Sequence, residues 1–315
     1  MASQCNGTAT MEFFLTGFQG LHRSRIVLFL PILLIYIMTV GANLLIVFLV
    51  STSHLMHSPM YFFLCHLSLC DFFFSTNIVP KMMQVTLEGG STISFSGCFI
   101  QFYVFASCTG TECYLLTAMS YDRYLAICYP LRYTSIMDLR LCVHLAVCCW
   151  FLSFFFVLIT LVFISMLRFC DKNIIDHFYC DFIPILELSC TDTSAVEIET
   201  TFFAYVIVLL PFLVIVGSYF NICRTILGIS SRAERKRAFS TCSSHLTIVS
   251  SYYGSLLSIY LVPSQGHSLN MNKFLSLLYT FVTPLINPII YSLRNREIRN
   301  QCSRLFLRFR GEPLG

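Results

Sequence analysis

Apolar residues occur along this chain in seven long runs separated by shorter polar stretches. Each run exceeds the roughly 20 residues that a helix needs to cross the hydrocarbon core of a bilayer. Lipid offers no hydrogen-bond partners, so the backbone of each run must satisfy itself, which favours helices over the short alternating strands of a barrel. We number the predicted spans 1 to 7, at about 26–50, 59–84, 97–128, 139–164, 198–227, 238–262 and 272–293.

The segments at the two ends differ in pattern. The first apolar run starts near Ile26 and is too long for the core of a signal peptide, so we expect no cleavable leader. Residues 1–25 are predicted to form a tail. In residues 294–315, basic positions alternate with Leu305, Phe306 and Phe309, which favours a short amphipathic helix on the membrane surface; a disordered basic tail is the alternative.

Composition supports the prediction of membrane-spanning helices. The chain is 56% hydrophobic and only 11% charged, whereas soluble domains carry about 25% charged residues. Lipid is therefore the expected solvent. The fold class that follows is an all-α membrane protein, a bundle of seven transmembrane helices at 26–293.

The distribution of Lys and Arg predicts the orientation. Most of them lie on the face that carries the carboxyl-terminal tail, including Arg235, Lys236 and Arg237 before span 6. By the positive-inside rule this face is cytoplasmic, which places the amino terminus outside. Arg23 and Arg25 before span 1 are a local exception.

Cysteines and a sequon mark the outer face. Most of the sixteen Cys lie in apolar runs and behave as small hydrophobes. Cys98 opens span 3, and Cys170, Cys180 and Cys190 lie in the acidic loop after span 4; on an oxidising side these four allow three pairings. Asn6-Gly7-Thr8 predicts glycosylation of Asn6.

A few ionisable and amide side chains fall inside the spans. They are Asn43, Asp71, Glu112, His245 and Asn287. Two carboxylates without a buried base need a cation, a shared proton or water, so an intramembrane site is a functional hypothesis. The alternative is a hydrogen-bond network that only joins helices, at roughly 0.6–2 kcal/mol per contact.

Asp122 and Arg123 are adjacent at the inner end of span 3. From the pair alone, hydrated end-of-helix charges are as good an interpretation as a functional pair. However, residues 119–130 (Met-Ser-Tyr-Asp-Arg-Tyr-Leu-Ala-Ile-Cys-Tyr-Pro) resemble the inner end of the third helix in odorant receptors, a branch of the rhodopsin-like (class A) G-protein-coupled receptors.

Three further blocks carry the same resemblance in the expected order, at 56–64, 237–246 and 284–295. The His-Ser-Pro-Met-Tyr form of the first is similar to the tetrapod-type (class II) branch. Tyr253 and Gly254 stand where most other rhodopsin-like receptors have Trp-x-Pro, as in odorant receptors. Two departures are Ala42, where Gly is usual before Asn43, and Arg237, where Lys is commoner.

The resemblance implies roles for particular residues. It pairs Cys98 with Cys180 and Cys170 with Cys190. It makes Asn43, Asp71 and Glu112 a polar core that admits Na⁺. It assigns the activation switch to Asp122, Arg123, Tyr219, His245, Asn287, Pro288 and Tyr291.

The resemblance also predicts a ligand pocket in the outer half of the bundle. Phe105, Cys108, Thr109 and Glu112 recur at helical spacing and share one face of span 3. The predicted pocket set is Phe105, Cys108, Thr109, Phe203, Ile207, Tyr253, Leu256, Leu257, Tyr260, Leu277 and Thr280. For any single member, ordinary helix packing is the alternative.

Two absences limit the ligand class. Phe105 stands where amine receptors carry Asp, so no ammonium salt bridge is offered there. Span 7 has no Lys that could form a retinal Schiff base, which excludes an opsin. We expect a small, uncharged, largely apolar ligand, with a hydrogen bond from Thr109, Thr280 or Tyr260.

The function that the resemblance implies is reception of volatile odorants at the plasma membrane, in olfactory cilia. The expected partners are the odorant, membrane lipid and a heterotrimeric stimulatory, olfactory-type G protein that raises cyclic AMP. No nucleic acid, enzymatic activity or cofactor beyond Na⁺ is expected. Alternatives are a receptor for a non-olfactory ligand and a channel or transporter, although the paired repeats of transporters are absent.

Overall fold

The computed structural model describes residues 12–17, 25–169, 173–261, 269–294 and 296–310. It confirms the predicted all-α fold with a seven-helix bundle. Spans 1 to 7 comprise Arg25–Ser51, Pro59–Glu88, Phe95–Cys128, Leu139–Ser165, Ser194–Leu227, Arg232–Leu261 and Leu269–Arg294. Shorter helices are Pro130–Ile136, Phe182–Leu186 and Arg296–Arg310, with a 3₁₀ turn at His54–His57.

Several spans extend beyond their apolar runs. Span 2 continues to Glu88, span 5 begins at Ser194, and span 6 begins at Arg232. The apolar pattern marks the hydrocarbon zone, whereas a helix continues into the headgroup region until a cap ends it. Span 2 ends at Gly89, whose φ of 76° is left-handed and whose N–H donates to the Val85 carbonyl.

The spans differ in how much they face lipid. Spans 1, 4 and 5 expose many apolar side chains, such as Leu34, Phe151 and Phe220. By length and hydropathy, five of the described helices are apolar enough to cross a membrane, and span 3 is not among them. Span 3 packs against spans 2, 4 and 5 and carries buried polar residues, so little of it needs to suit lipid.

A small sheet lies over the outer end of the bundle. Strand β1 (Glu12–Leu15) pairs antiparallel with β2 (Ser91–Ser94) and parallel with β3 (Ile174–Ile175). Residues 1–25 were predicted only as a tail, since four residues give too short a pattern to predict a strand. Phe13 and Leu15 of β1 are fully buried, so this part of the tail belongs to the folded outer surface.

The loop after span 4 is tied to span 3. The predicted Cys98–Cys180 disulfide is present, with Cα atoms 5.5 Å apart. Cys190 is also disulfide-bonded, but Cys170 lies outside the described residues, as does the glycosylation candidate Asn6.

An ion pair, which we call the outer latch, joins three distant segments. Lys273 of span 7 is 3% exposed, and its Nζ lies 2.6 Å from Asp176 Oδ1 and 3.0 Å from the Gly17 carbonyl. Thr16 donates to the same Asp176 oxygen at 2.5 Å. Partial burial acts to raise the pKa of the Asp176 carboxyl, but hydrogen bonds from Lys273 and Thr16 outweigh it and the pKa is lowered.

Asp176→Asn is expected to lower the melting temperature of the purified protein by a few degrees at neutral pH, because the buried Lys273 ammonium loses its counter-charge. The folded-state pKa is below the ordinary value of about 3.9, so the stabilisation is present above that pH and is lost on acidification through the folded pKa. Melting curves at several pH values check this, with Glu187→Gln, an exposed carboxylate of the same loop, as control. A difference that does not shrink below pH 4 would contradict it.

Candidate ligand cavity and transmembrane switch

A cavity of about 170 Å³ lies in the outer half of the bundle, beneath the loop after span 4. Its wall is mostly apolar, with a minority of hydroxyl and carboxylate groups, as is typical of small-molecule sites. The lining residues are Phe102, Phe105, Ala106, Thr109, Gly110, Val157, Thr160, Tyr179, Asp181, Phe182, Thr200, Phe203, Ala204, Ile207, Val208, Leu256 and Tyr279.

Five residues of the predicted pocket set line this cavity. They are Phe105, Thr109, Phe203, Ile207 and Leu256. Spans 3, 5 and 6 therefore each contribute part of the predicted pocket set to the wall. Their contact with a ligand stays a prediction.

Cys108 and Tyr253 are placed elsewhere. The Cys108 carbonyl accepts a hydrogen bond at 3.2 Å from Cys70 Sγ of span 2, a span that contributes none of the described wall residues. The Tyr253 ring packs on Phe212 of span 5, with ring centroids 4.8 Å apart. Neither residue is part of the cavity wall.

The remaining predicted pocket residues also lie outside the wall. Leu257 is 50% exposed. Thr280 donates its hydroxyl to the Ser276 carbonyl at 2.7 Å within span 7, and Leu277 packs against the core. The Tyr260 side chain lies outside the described part of the structure. Small rotations of spans 6 and 7, which sequence spacing does not determine, decide which residues face inward.

Part of the wall comes from segments that the sequence pattern did not indicate. The loop contributes Tyr179, Asp181 and Phe182, and span 4 contributes Val157 and Thr160. Loop residues carry no periodic signal that predicts a contact. The Cys98–Cys180 disulfide was the available signal, because it places the adjoining loop residues above span 3.

The base of the cavity contains interlinked hydroxyl groups. Thr109 donates to the Phe105 carbonyl at 3.0 Å, and its Oγ1 lies 3.1 Å from the Tyr279 hydroxyl. Tyr252 donates to the Thr109 carbonyl at 2.7 Å. Span 6 and span 7 thus meet span 3 directly below the cavity, where a ligand could alter their packing.

Span 5 contains a π-helical turn at Tyr205–Leu209, which includes the cavity residue Ile207. Pro211 lacks an N–H and cannot donate to the Ile207 carbonyl, so the regular α-helical ladder is interrupted there. Such single π turns are frequent at functional sites. Here the turn alters which side chains of span 5 point toward spans 3 and 4.

Gly110 allows close packing at the cavity wall. A Cβ at this position would collide with the Ser153 hydroxyl of span 4 and lie 2.9 Å from Ile207 Cγ2. Gly110→Ala is therefore expected to destabilise the purified protein by about 1–3 kcal/mol through overpacking, seen as a lower melting temperature. Gly254→Ala is the control, because a Cβ there meets nothing within 4 Å. Equal stability of the two variants would contradict the expectation.

The polar core lies between spans 1, 2, 3 and 7. Asn287 donates to both carboxylate oxygens of Asp71 at 3.1 and 3.4 Å, and Asn43 donates to the carbonyls of Thr39 and Pro284, each at 3.0 Å. Asp71 and Glu112 are both buried. Within the described residues, neither carboxylate has a basic partner at ion-pair distance.

The inner end of span 3 holds a three-residue cluster, which we call the inner lock. Arg123 forms an ion pair with Asp122, whose other oxygen accepts a hydrogen bond from Tyr133 at 2.7 Å. Asp122 is fully buried and the Arg123 side chain is 12% exposed. Tyr133 was not among the predicted switch residues; the helix Pro130–Ile136 brings it back beneath span 3.

Tyr219, His245 and Tyr291 were also predicted to belong to the switch, and each contacts another span. The Tyr219 hydroxyl of span 5 lies 2.7 Å from His245 Nδ1 of span 6. Tyr291 of span 7 is buried, with its hydroxyl 3.9 Å from Met119 Sδ. Neither tyrosine hydroxyl bonds to Arg123 in this arrangement. Their roles in activation stay predictions.

The geometry defines a class of protein: a seven-helix membrane bundle with a cavity in its outer half and a buried ion pair at its inner end. A family model for olfactory receptors matches residues 32–309. The human olfactory receptor 6Q1 is 41% identical over 96% of both chains. The human olfactory receptor 6N1 is 44% identical over 95% of this chain and 96% of its own. The mouse olfactory receptor 5G26 is 44% identical over 96% of this chain and 95% of its own.

The chain therefore belongs to the olfactory receptor family. Members of this family are multi-pass G-protein-coupled receptors of the membrane and not enzymes, and the predicted resemblance is confirmed. Among the described residues, no group of three or more His, Cys, Asp or Glu side chains is arranged to hold a metal ion.

Proposed function

We propose that this receptor binds small, mostly apolar volatile molecules in the cavity between spans 3 to 7 and activates a stimulatory, olfactory-type G protein that raises cyclic AMP. The observation that carries the proposal is the cavity itself, an apolar space of about 170 Å³ roofed by the loop after span 4. Apolar cavities of roughly 150 Å³ bind benzene. The size therefore suits a molecule of about one ring.

The ligand acts, in this proposal, by binding the active arrangement more tightly than the resting one, since equal affinity would shift nothing. The base of the cavity, where Tyr252 and Tyr279 meet Thr109, transmits the difference to spans 6 and 7. Movement of span 6 separates His245 from Tyr219. Arg123 then leaves Asp122 and turns toward Tyr219 and Tyr291.

The opened inner end accepts the G protein. Arg235 and Lys236 are exposed in the first turns of span 6. Together with Arg237 and the segment after Pro130, they provide a basic surface for the partner. Arg237 is included on sequence grounds alone, because its side chain lies outside the described part.

The polar core is proposed to admit Na⁺. Asp71 and Glu112 are buried without a basic partner among the described residues, and a monovalent cation would compensate one of their two charges. Asn43 and Asn287 supply neighbouring amide groups. Pro288 lacks an N–H and would permit span 7 to bend during activation.

Glycosylation of Asn6, the Cys170–Cys190 disulfide and residence in the plasma membrane of olfactory cilia complete the proposal. The sequon supports the glycosylation, and family membership supports the disulfide and the location; Cys190 is also disulfide-bonded.

Cyclic AMP measurements test the proposed function. Cells expressing the chain are exposed to volatile compounds of about one ring in size, with surface staining to verify delivery and untransfected cells as control. A concentration-dependent rise for some compounds is expected. Silence across a broad panel, despite strong surface staining, would contradict the ligand class or the coupling.

A further inference from the structure

The wall of the cavity between spans 4 and 5 contains two threonines bound to one carboxylate. Thr160 and Thr200 line the cavity, and Glu199 lies between their spans. From this juxtaposition we propose that the cavity selects ligands that donate a hydrogen bond, of which small alcohols and phenols are uncharged examples. The inference rests on the proposed ligand function of the cavity and names its substrate class.

The hydrogen atoms of both threonines are directed at Glu199. Thr160 Oγ1 donates to Glu199 Oε1 at 2.8 Å, with the Phe156 carbonyl as a second, longer acceptor at 3.4 Å. Thr200 Oγ1 donates to Glu199 Oε2 at 3.2 Å. A hydroxyl group has one hydrogen and two acceptor lone pairs, whereas an ionised carboxylate only accepts. Both threonines therefore retain lone pairs for the cavity, while their hydrogens are occupied.

Asp181 and Thr109, which also line the wall, have the same character. Asp181 lines the cavity as a carboxylate, with one oxygen accepting from the Phe182 N–H at 2.8 Å. Thr109 uses its hydrogen on the Phe105 carbonyl, so Tyr279 donates across their 3.1 Å contact. The cavity wall contains no Lys, Arg or His among its described residues.

An ether, aldehyde or ketone can only accept a hydrogen bond. The hydroxyl hydrogens of these wall groups are already donated to protein oxygens, so the groups offer such a ligand no donor. A hydroxyl group finds acceptors at Thr160, Thr200 and Asp181. One neutral hydrogen bond changes an equilibrium by about three- to tenfold. We expect an alcohol to bind more tightly by this factor than the aldehyde or methyl ether of the same skeleton.

Glu199→Gln provides a sharp test, because an amide donates as well as accepts. Its NH₂ group would donate to one threonine and release that threonine's hydrogen toward the cavity. The preference for alcohols should then shrink or reverse in favour of carbonyl compounds. Glu197→Gln is the matched control: Glu197 is exposed and accepts from Thr193 outside the cavity, at 2.6 Å.

The measurement is ligand binding to the purified full-length receptor by thermal shift, which does not depend on G-protein coupling. The probes are matched triads, such as benzyl alcohol, benzaldehyde and benzyl methyl ether, or 1-pentanol, pentanal and butyl methyl ether. Within each triad that binds, we expect the affinity of the alcohol to exceed that of the aldehyde and the ether by about three- to tenfold. This preference should be lost in Glu199→Gln and kept in Glu197→Gln.

Two results would overturn the inference but leave the proposed function intact. One is that ethers and aldehydes bind as tightly as alcohols, and the other is that the preference for alcohols is unchanged in Glu199→Gln. If no member of any triad binds, the proposed ligand cavity is itself contradicted and the inference falls with it. These outcomes separate failure of the ligand class from failure of the proposed function.

Discussion

Replacing Arg123 by Ala is expected to abolish the ligand-evoked rise in cyclic AMP while surface expression stays near that of the wild type. Arg123 belongs to the inner lock, where it pairs with Asp122. The proposed activation step moves its guanidinium to Tyr219 and Tyr291, and Ala provides nothing to move. Asp122 keeps its hydrogen bond from Tyr133, so the fold retains a partner for the buried carboxylate.

Two further variants separate a switch from a general loss of charge. Arg140→Ala removes an exposed arginine at the start of span 4 and should signal normally. Tyr133→Phe removes one hydrogen bond from Asp122, worth about 0.5–1.5 kcal/mol, and should raise basal cyclic AMP by loosening the resting state. Full signalling by Arg123→Ala at equal surface density would contradict the role of the inner lock.

Ala106→Phe is expected to eliminate responses to volatile compounds, with the half-maximal concentration raised at least a hundredfold. Ala106 lines the cavity of about 170 Å³, and an apolar cavity of roughly 150 Å³ has room for one benzene molecule. The added ring would fill the space that a ligand needs. Concentration–response curves for cyclic AMP, normalised to surface density, provide the measurement.

The control for this substitution is Cys148→Phe, which adds the same ring to an exposed, lipid-facing position of span 4. It should leave responses unchanged. Unaltered responses in Ala106→Phe would show that ligands bind elsewhere in the molecule.

The bundle could be predicted because burying the backbone in lipid leaves long apolar helices as the solution. The ends of those helices could not be predicted. Span 2 continues to Glu88 and span 6 begins at Arg232, in polar stretches that hydropathy does not distinguish from a loop. The inner lock shows the same limit. Asp122 and Arg123 are evident in the sequence, but Tyr133 reaches Asp122 only through the turn that follows span 3.

The cavity could be predicted in part. Phe105 and Thr109 share a face of span 3 by helical spacing, and the structure places both in the wall. Tyr253 and Cys108 satisfy similar spacing but pack against neighbouring helices, because the rotation of each helix depends on the whole bundle. Asp181 and strand β1 depend on long-range pairing, for which the local pattern provides no signal.

The most direct test of the central claim compares volatile-evoked cyclic AMP in two cell lines that display the receptor equally, one with and one without the stimulatory G-protein α subunit. The account predicts a concentration-dependent rise that requires the α subunit and is restored when the subunit is returned. A ligand-evoked membrane current of equal size in both lines, without any rise in cyclic AMP, would contradict it and favour a channel.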